Sequence, residues 1–484
     1  MMEYGGIIPI AVRFNMTGGF LNPGVFANFI ASLFPFALAI VTLNRNESKW
    51  VKRGAAFVLV TAAGILVISN ARSAWVGSGI SALFVFGHNQ RFAKFKKIFL
   101  NSYIRKTVVI IALSAGIAAA SFFLYNLKRD STDGRLFIWK LCGEMIKENP
   151  VFGIGNGYNS FPKAFNERQR SYFEQNPDDS VNGLLAGDAK YAFNDYIQIM
   201  IETGGVGLTL FFCIIFFALN GKNTRKKATP EKSYLLPASQ SGIIAILVCS
   251  LFSYPQKNIS NYALFFVFIA YISSGYPAFK HQIPFKNKFL PIASVMFALL
   301  ASAIFYYQTC LLRHCYKWKE AYRYYQTGNM KDALEGYQRI QPFFSSYFLF
   351  MFNYGSILYV NGKFDEAIPI FESSKQLNAT YDTYLNLGGC YEKTGRFDKA
   401  EQCYIRASNT IPHKLSPKYN LFKLYIKTNK PAKAYDTASI IKSMKIKIGT
   451  PVADQMKREV FEYLNRNSSP PLPDPLLLES GNES

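Results

Sequence analysis

The chain has 484 residues, half of them apolar, 16% aromatic and only 18% charged, against roughly a quarter charged in soluble domains. The apolar residues come in runs of membrane-spanning length and the prolines and glycines are scattered, which excludes collagenous, mucin-like and wholly disordered chains. Lys and Arg outnumber Asp and Glu by 54 to 31, a net charge of +23, but the excess lies in the segments between the apolar runs, so it reads as positive charge kept on a cytoplasmic face and not as a nucleic-acid surface.

A short apolar piece, Ile7–Val12, precedes spanning candidates at 21–43, 54–69, 73–88, 107–125, 198–219, 241–256, 260–276 and 289–309. Several are shorter than the usual 20 residues, so the 54–88 and 241–276 pairs could be divided elsewhere or be re-entrant. The connections 44–53, 89–106, 220–240 and 277–288 carry clustered Lys and Arg and fall on one side, the cytoplasmic one. The turn at Asn70-Ala71-Arg72, the loop 126–197, the connection near Lys257-Asn258 and everything after 309 then lie outside. With no signal peptide and an external N-terminus, the chain is expected to be the later part of a longer membrane protein.

A loop as long as 126–197 invites a functional explanation. Asp133 or Thr132 can cap a helix over 135–148, whose first turn holds Arg135 and which ends at Asn149-Pro150. "GIGNGYNSF" follows, a turn whose N–H groups could meet an anion but which lacks the lysine of a nucleotide-binding loop. Next, Tyr191, Asn194, Asp195, Gln198 and Glu202 recur at helical spacing on one face of a helix predicted over 193–219. Polar groups at a lipid boundary are costly unless paired or lining a cavity. Arg72 and Arg135, on the same external side, could hold a diphosphate through bidentate contacts, and a snorkelling Arg72 is the plainer alternative.

Beyond 309, Gly328, Gly362, Gly395 and Asn429 recur at intervals of 34, 33 and 34, and Ala333, Ala367, Ala400 and Ala434 follow the same rhythm. This resembles the tetratricopeptide repeat, in which Gly permits the inter-helix turn and Ala the close helix packing. The expected role of the array is a binding or positioning surface. Seven cysteines with no CxxC pair indicate neither a disulfide framework nor a zinc site. The fold class is therefore all-α: a polytopic membrane helix bundle with a large external loop, followed by a tetratricopeptide-type solenoid. The expected parts are 1–125 and 198–309 in the membrane, 126–197 the loop domain, 310–445 the repeats, and 446–484 a helix with an unfolded proline-rich tail.

"TGGFLNPGVFANFIASLFPFALA", "SNARSAWVG", "DGRLFIWKLCGEMIKENPVFGIGNGYNSF" and "YAFNDYIQIMIETGGVGL", in that order, resemble the O-antigen ligase and O-antigen polymerase superfamily of the bacterial inner membrane, in the branch with appended tetratricopeptide repeats. The resemblance covers about 13–270. It implies transfer of a glycan from an undecaprenyl-diphosphate-linked donor to lipid A core or another glycan acceptor at the periplasmic face, without cofactor, metal or nucleic acid, and with a protein partner possible through the repeats. Arg72 and Arg135 fall on the family's arginines. The family's histidine position holds Phe193, and His88, His281, His314 and His413 all lie outside the loop. Asp195 becomes the candidate base, with Asp188 and Glu202 as competitors. Tyr191, Asn194 and Gln198 are candidates for orienting sugar hydroxyls. Polymerisation, protein O-glycosylation, a non-catalytic scaffold and, less readily, a transporter are the competing readings.

Overall fold

Helix dominates the computed structural model, which describes residues 20, 22–43, 48–89, 125–126, 129–157, 159–220, 234–274, 290–447 and 449–467, and no strand occurs among them. The helices are α1 (Pro23–Thr42), α2 (Lys49–Ser69), α3 (Arg72–Gly87), then in the loop α4 (Arg129–Glu148), α5 (Ser160–Gln175) and α6 (Ser180–Leu185), followed by α7 (Asp195–Asn220), α8 (Leu235–Ser250), a 3-10 turn at Pro255–Lys257 and α9 (Ile259–Ser273). The repeat region comprises α10 (Leu290–Gln326), α11 (Met330–Phe344), α12 (Phe348–Val360), α13 (Phe364–Leu377), α14 (Tyr381–Lys393), α15 (Phe397–Thr410), α16 (Leu415–Lys427), α17 (Pro431–Ser443) and α18 (Pro451–Arg466). Among the described residues, four helices are long and apolar enough to cross a membrane: α1, α2, α7 and α10, while α8 and α9 are shorter apolar helices. The predicted 54–88 pair is divided at Asn70, which ends α2 in the left-handed conformation. Ile7–Val12, the predicted span 107–125 apart from Tyr125, most of the basic connections, and the tail from Ser468 lie outside the described residues.

These residues group into two compact units, one from 1–156 and 191–281, the other from 157–190 and 282–484. In the first, α1, α3 and α8 pack through small residues. Ala27, Ala31, Ala74 and Cys249 are fully buried, and a Cβ on Gly77 would come within 2.7 Å of Cys249 Sγ. This is how helices associate where lipid supplies no hydrophobic drive. Polar side chains then bridge them: Ser73 Oγ donates to Asn28 Oδ1 (3.1 Å) and Asn28 Nδ2 to Ser253 Oγ (2.9 Å). Phe57, Val60 and Val67 on α2 point outward, each at least 70% exposed, as a lipid-facing stripe must.

In the second unit, α10 runs for 37 residues, about 55 Å at 1.5 Å per residue and well beyond a hydrocarbon core of about 30 Å. Residues 291–308 at its apolar start are exposed. Its C-terminal end forms the first repeat helix, where Trp318 Nε1 donates to the Tyr337 hydroxyl of α11 (2.9 Å). Gly328, Gly362, Gly395 and Asn429 all have positive φ, and Ala333, Ala367, Ala400 and Ala434 are fully buried. Loop helix α5 packs against α15, with Phe161 and Phe165 essentially inaccessible. Its polar side chains reach the repeats: Asn166 Nδ2 donates to Asn378 Oδ1 (3.1 Å) and Arg170 Nη1 to the Tyr384 hydroxyl (2.9 Å).

Candidate functional site

The first unit contains a cavity of about 280 Å³ between the starts of α1 and α3, helix α4 and the chain before the 3-10 turn; Arg72, Arg135, Phe193, Ser253 and Tyr254 line it. The left-handed turn at Asn70 (φ 50°) reverses the chain so that α3 begins at Arg72, with no side chain capping its first N–H groups. Asn22 caps α1 through Gly24 N (2.8 Å). Two helix N-termini and two guanidinium groups thus border one cavity, and both features favour an anion.

Each arginine is held. Arg72 Nη1 donates to Thr132 Oγ1 of α4 (3.0 Å), and Arg135 Nη1 donates to the Phe252 carbonyl (2.6 Å). Arg135 also lies over the Phe193 ring, 5.2 Å from its centroid. Burial, and then the charge of Arg72, press the pKa of Arg135 below its ordinary value. The part due to Arg72 is a repulsion that a doubly charged anion between the two arginines would relieve. Tyr254 stacks on Tyr191 (4.3 Å), meets Phe193 edge-on (5.4 Å) and accepts a hydrogen bond from Asn22 Nδ2 (3.1 Å). Phe193 takes φ 54°, fixed by Ala192, whose carbonyl accepts from Trp139 Nε1 (2.8 Å) and whose N–H donates to Gln198 Oε1 (2.7 Å).

The remaining predicted residues of the first unit are placed differently. Asn194 caps α7, accepting from the N–H groups of Tyr196 and Ile197. Asp195, 1% exposed, accepts from Ser250 Oγ (2.9 Å) and Gln256 N (3.1 Å), so it braces the turn that carries Ser253 and Tyr254. Gln198 Nε2 donates to Glu202 Oε1 (2.7 Å), and Lys257 Nζ meets Glu202 Oε2 at 2.6 Å. These three side chains of α7 are buried and do not line the cavity. Asp188 belongs to the second unit, where burial first, and then the charge of Asp382, push its carboxyl up to about 6.

The turn after α4 is built for close backbone contact. Gly204 breaks α7 (φ 67°, ψ −169°), and the exposed peptide edge pairs with the turn: Ile154 N donates to Ile201 O (2.8 Å), Gly155 N to Glu202 O (3.0 Å) and Gly205 N to Pro150 O (2.9 Å). A Cβ on Gly204 would sit 2.1 Å from Val151 O, and one on Gly153 2.4 Å from Ile201 O. The N–H groups of Ile154 and Gly155 are therefore committed to α7 and not offered to an anion.

Asn22, Asn28, Ser253, Tyr254 and Lys257 were not singled out by the sequence. Asn22 and Asn28 lie in the stretch "TGGFLNPGVFANF", and the signal for the other three was a short polar connection, "SYPQKN", expected on the same side as the loop.

The described residues form a polytopic helical bundle whose two arginines share one cavity, followed in sequence by helical repeats. Residues 57–212 match the family described as O-antigen ligase, and residues 383–418 match the tetratricopeptide repeat. The chain is 24% identical over 208 residues, 39% of its length, to a Rickettsia conorii protein provisionally named a polysaccharide ligase, of which that stretch is 48%; the match thus spans about half of that relative. The chain therefore resembles O-antigen ligases over residues 57–212 and carries a tetratricopeptide match on its C-terminal side. Its long apolar helices make it a multi-pass membrane protein.

Proposed function

We propose that the protein transfers a glycan from undecaprenyl diphosphate to an acceptor hydroxyl at the periplasmic face of the bacterial inner membrane, in the manner of an O-antigen ligase. The convergence of Arg72 and Arg135 on one cavity carries this reading. The acceptor oxygen attacks the anomeric carbon, the bond from that carbon to the phosphate oxygen breaks, and undecaprenyl diphosphate leaves with the electron pair. The arginines hold the leaving diphosphate and stabilise its growing charge. The stacked ring of Tyr254 and the ring of Phe193 wall the cavity where the sugar enters. Asp195 accepts the acceptor's proton or, as its bonds to Ser250 and Gln256 favour, holds the turn that carries Tyr254. The pH–rate profile of Asp195→Asn separates the two: a base role removes its acidic limb, and a bracing role lowers the rate without changing the profile.

The test is release of undecaprenyl diphosphate by the purified protein given a lipid-linked glycan and lipid A core. Arg72→Ala and Arg135→Ala together should lower kcat/KM by at least about 10²-fold; unchanged transfer would sink the assignment. A ladder of products in place of a single transferred chain would make it a polymerase. A second reading, a non-catalytic scaffold, is favoured by Phe193 standing at the family's histidine position, and predicts no transfer to any acceptor.

A further inference from the structure

The repeats would ordinarily be read as a surface for some other protein. Their packed neighbour in this chain is its own loop, and the contact centres on one buried amide. Gln169, on α5, is 1% exposed. Its Nε2 donates to the Thr410 carbonyl at the end of α15 (2.7 Å) and to the Gly187 carbonyl (3.2 Å), while its Oε1 faces the Gly187 N–H at 3.5 Å. One side chain therefore ties both polar groups of a loop peptide to the end of a repeat helix. A buried amide that satisfies two backbone carbonyls at once is specific in shape and chemistry, since neither a carboxylate nor an apolar group can replace it.

Gly187 has a second significance in sequence. Only Asp188, Ala189 and Lys190 separate it from Tyr191, whose ring stacks on Tyr254 of the arginine cavity, and Phe193 follows two residues later. We propose that Gln169 is a positioning residue for glycan transfer: it fixes to the repeats the point from which the Tyr191–Phe193 segment departs, so the repeats serve the reaction by gripping the chain's own loop. The proposal rests on the transferase reading above for its catalytic half and on the hydrogen bonds alone for its structural half.

Hydrogen exchange of the full-length protein in membrane mimetic tests it, alongside the transfer assay. Gln169→Glu keeps the size of the side chain but sets a carboxylate against two carbonyl oxygens. It should speed exchange at least tenfold across 160–187 and across Tyr191–Asn194, leave the repeat amides of 383–405 unchanged, and lower transfer kcat/KM about tenfold. Gln169→Met, of similar length and uncharged, gives the same reading if the glutamate variant does not fold. Faster exchange at 160–187 with Tyr191–Asn194 unchanged overturns the proposal, because Gln169 is then only structural. So does faster exchange in both segments with transfer intact. If the parent protein transfers nothing, the function proposed above fails, while exchange at Tyr191–Asn194 still decides whether the clamp exists.

Discussion

Phe193 occupies a backbone conformation that bulky residues avoid and that Asn, Asp and His adopt more readily. Such a residue costs on the order of 1–3 kcal/mol unless its surroundings hold it, and here they do, through Trp139 and Gln198 on Ala192 and through Arg135 over its ring. The position thus has the backbone of a histidine site and the side chain of an arginine stack. Phe193→His should fold normally and introduce a titrating group beside Arg135. Because only neutral imidazole accepts a proton, transfer by the variant should rise with pH through that group's pKa, which the neighbouring guanidinium holds below the ordinary value near 6.5. The parent, with no such group, should lack this step, and superimposable pH–rate profiles would show that position 193 never reaches the acceptor. Arg72, Arg135 and Phe193 were legible in the sequence because the family pattern marks them. Tyr254 and Asn22 were not, since their hydrogen bond joins residues 232 positions apart and no periodicity records such a pair.

At the scale of elements, hydrophobic pattern located the helices well but could not show where one breaks. Polar residues at helical spacing up to Glu202 and an apolar run from Val206 to Leu219 flank Gly204, so nothing in the period distinguishes it from an ordinary helical glycine; only the backbone of 150–155 lying against it does. Gly204→Ala combines a positive φ with a 2.1 Å clash against a carbonyl and should destabilise the protein by more than about 3 kcal/mol in detergent unfolding. Gly155→Ala, also at positive φ but with nothing within 4 Å, should cost only about 1–2 kcal/mol; equal losses would mean that the close approach is not real. The loop's contact with the repeats should also respond to pH. Asp188 is raised from 3.8 to about 6 by burial and by Asp382, against the opposing charges of Lys414 and Lys190. A carboxyl raised on docking binds its proton more tightly there, so its contribution is fully present below about 3.8 and is lost as pH rises through about 6, by roughly 2–3 kcal/mol at most. Amides of 183–190 should therefore exchange faster at pH 7.5 than at pH 5 after correction for intrinsic rates, and Asp188→Asn should flatten the difference.

For the whole molecule, two features support the proposed topology in which the repeats and the loop helix α5 share one side of the membrane. Helix α5, from the loop, is hydrogen-bonded to Asn378, Tyr384 and Thr410 of the repeats. Helix α10 separately leads from the basic segment 277–288 through an apolar stretch into the first repeat without interruption. In the proposed topology a single crossing then separates the repeats from the basic segment. Periodicity and charge alone could suggest this orientation, but only the continuity of α10 removes the possibility of a hairpin return. Cys315 is exposed and lies 25 residues past Leu290, about 38 Å along the helix and so beyond the hydrocarbon. In spheroplasts the native protein should react there with a membrane-impermeant maleimide. In a background lacking the native cysteines, Ser131→Cys at the arginine cavity, Lys163→Cys on α5 and Lys331→Cys on α11 should label equally, and Arg53→Cys only after lysis. Protection of Lys331→Cys with labelling of Lys163→Cys would refute the docking of loop on repeats. Protection of Ser131→Cys with labelling of Lys163→Cys would set the arginine pair apart from the loop, and a lipid-carried diphosphate could then not reach its acceptor.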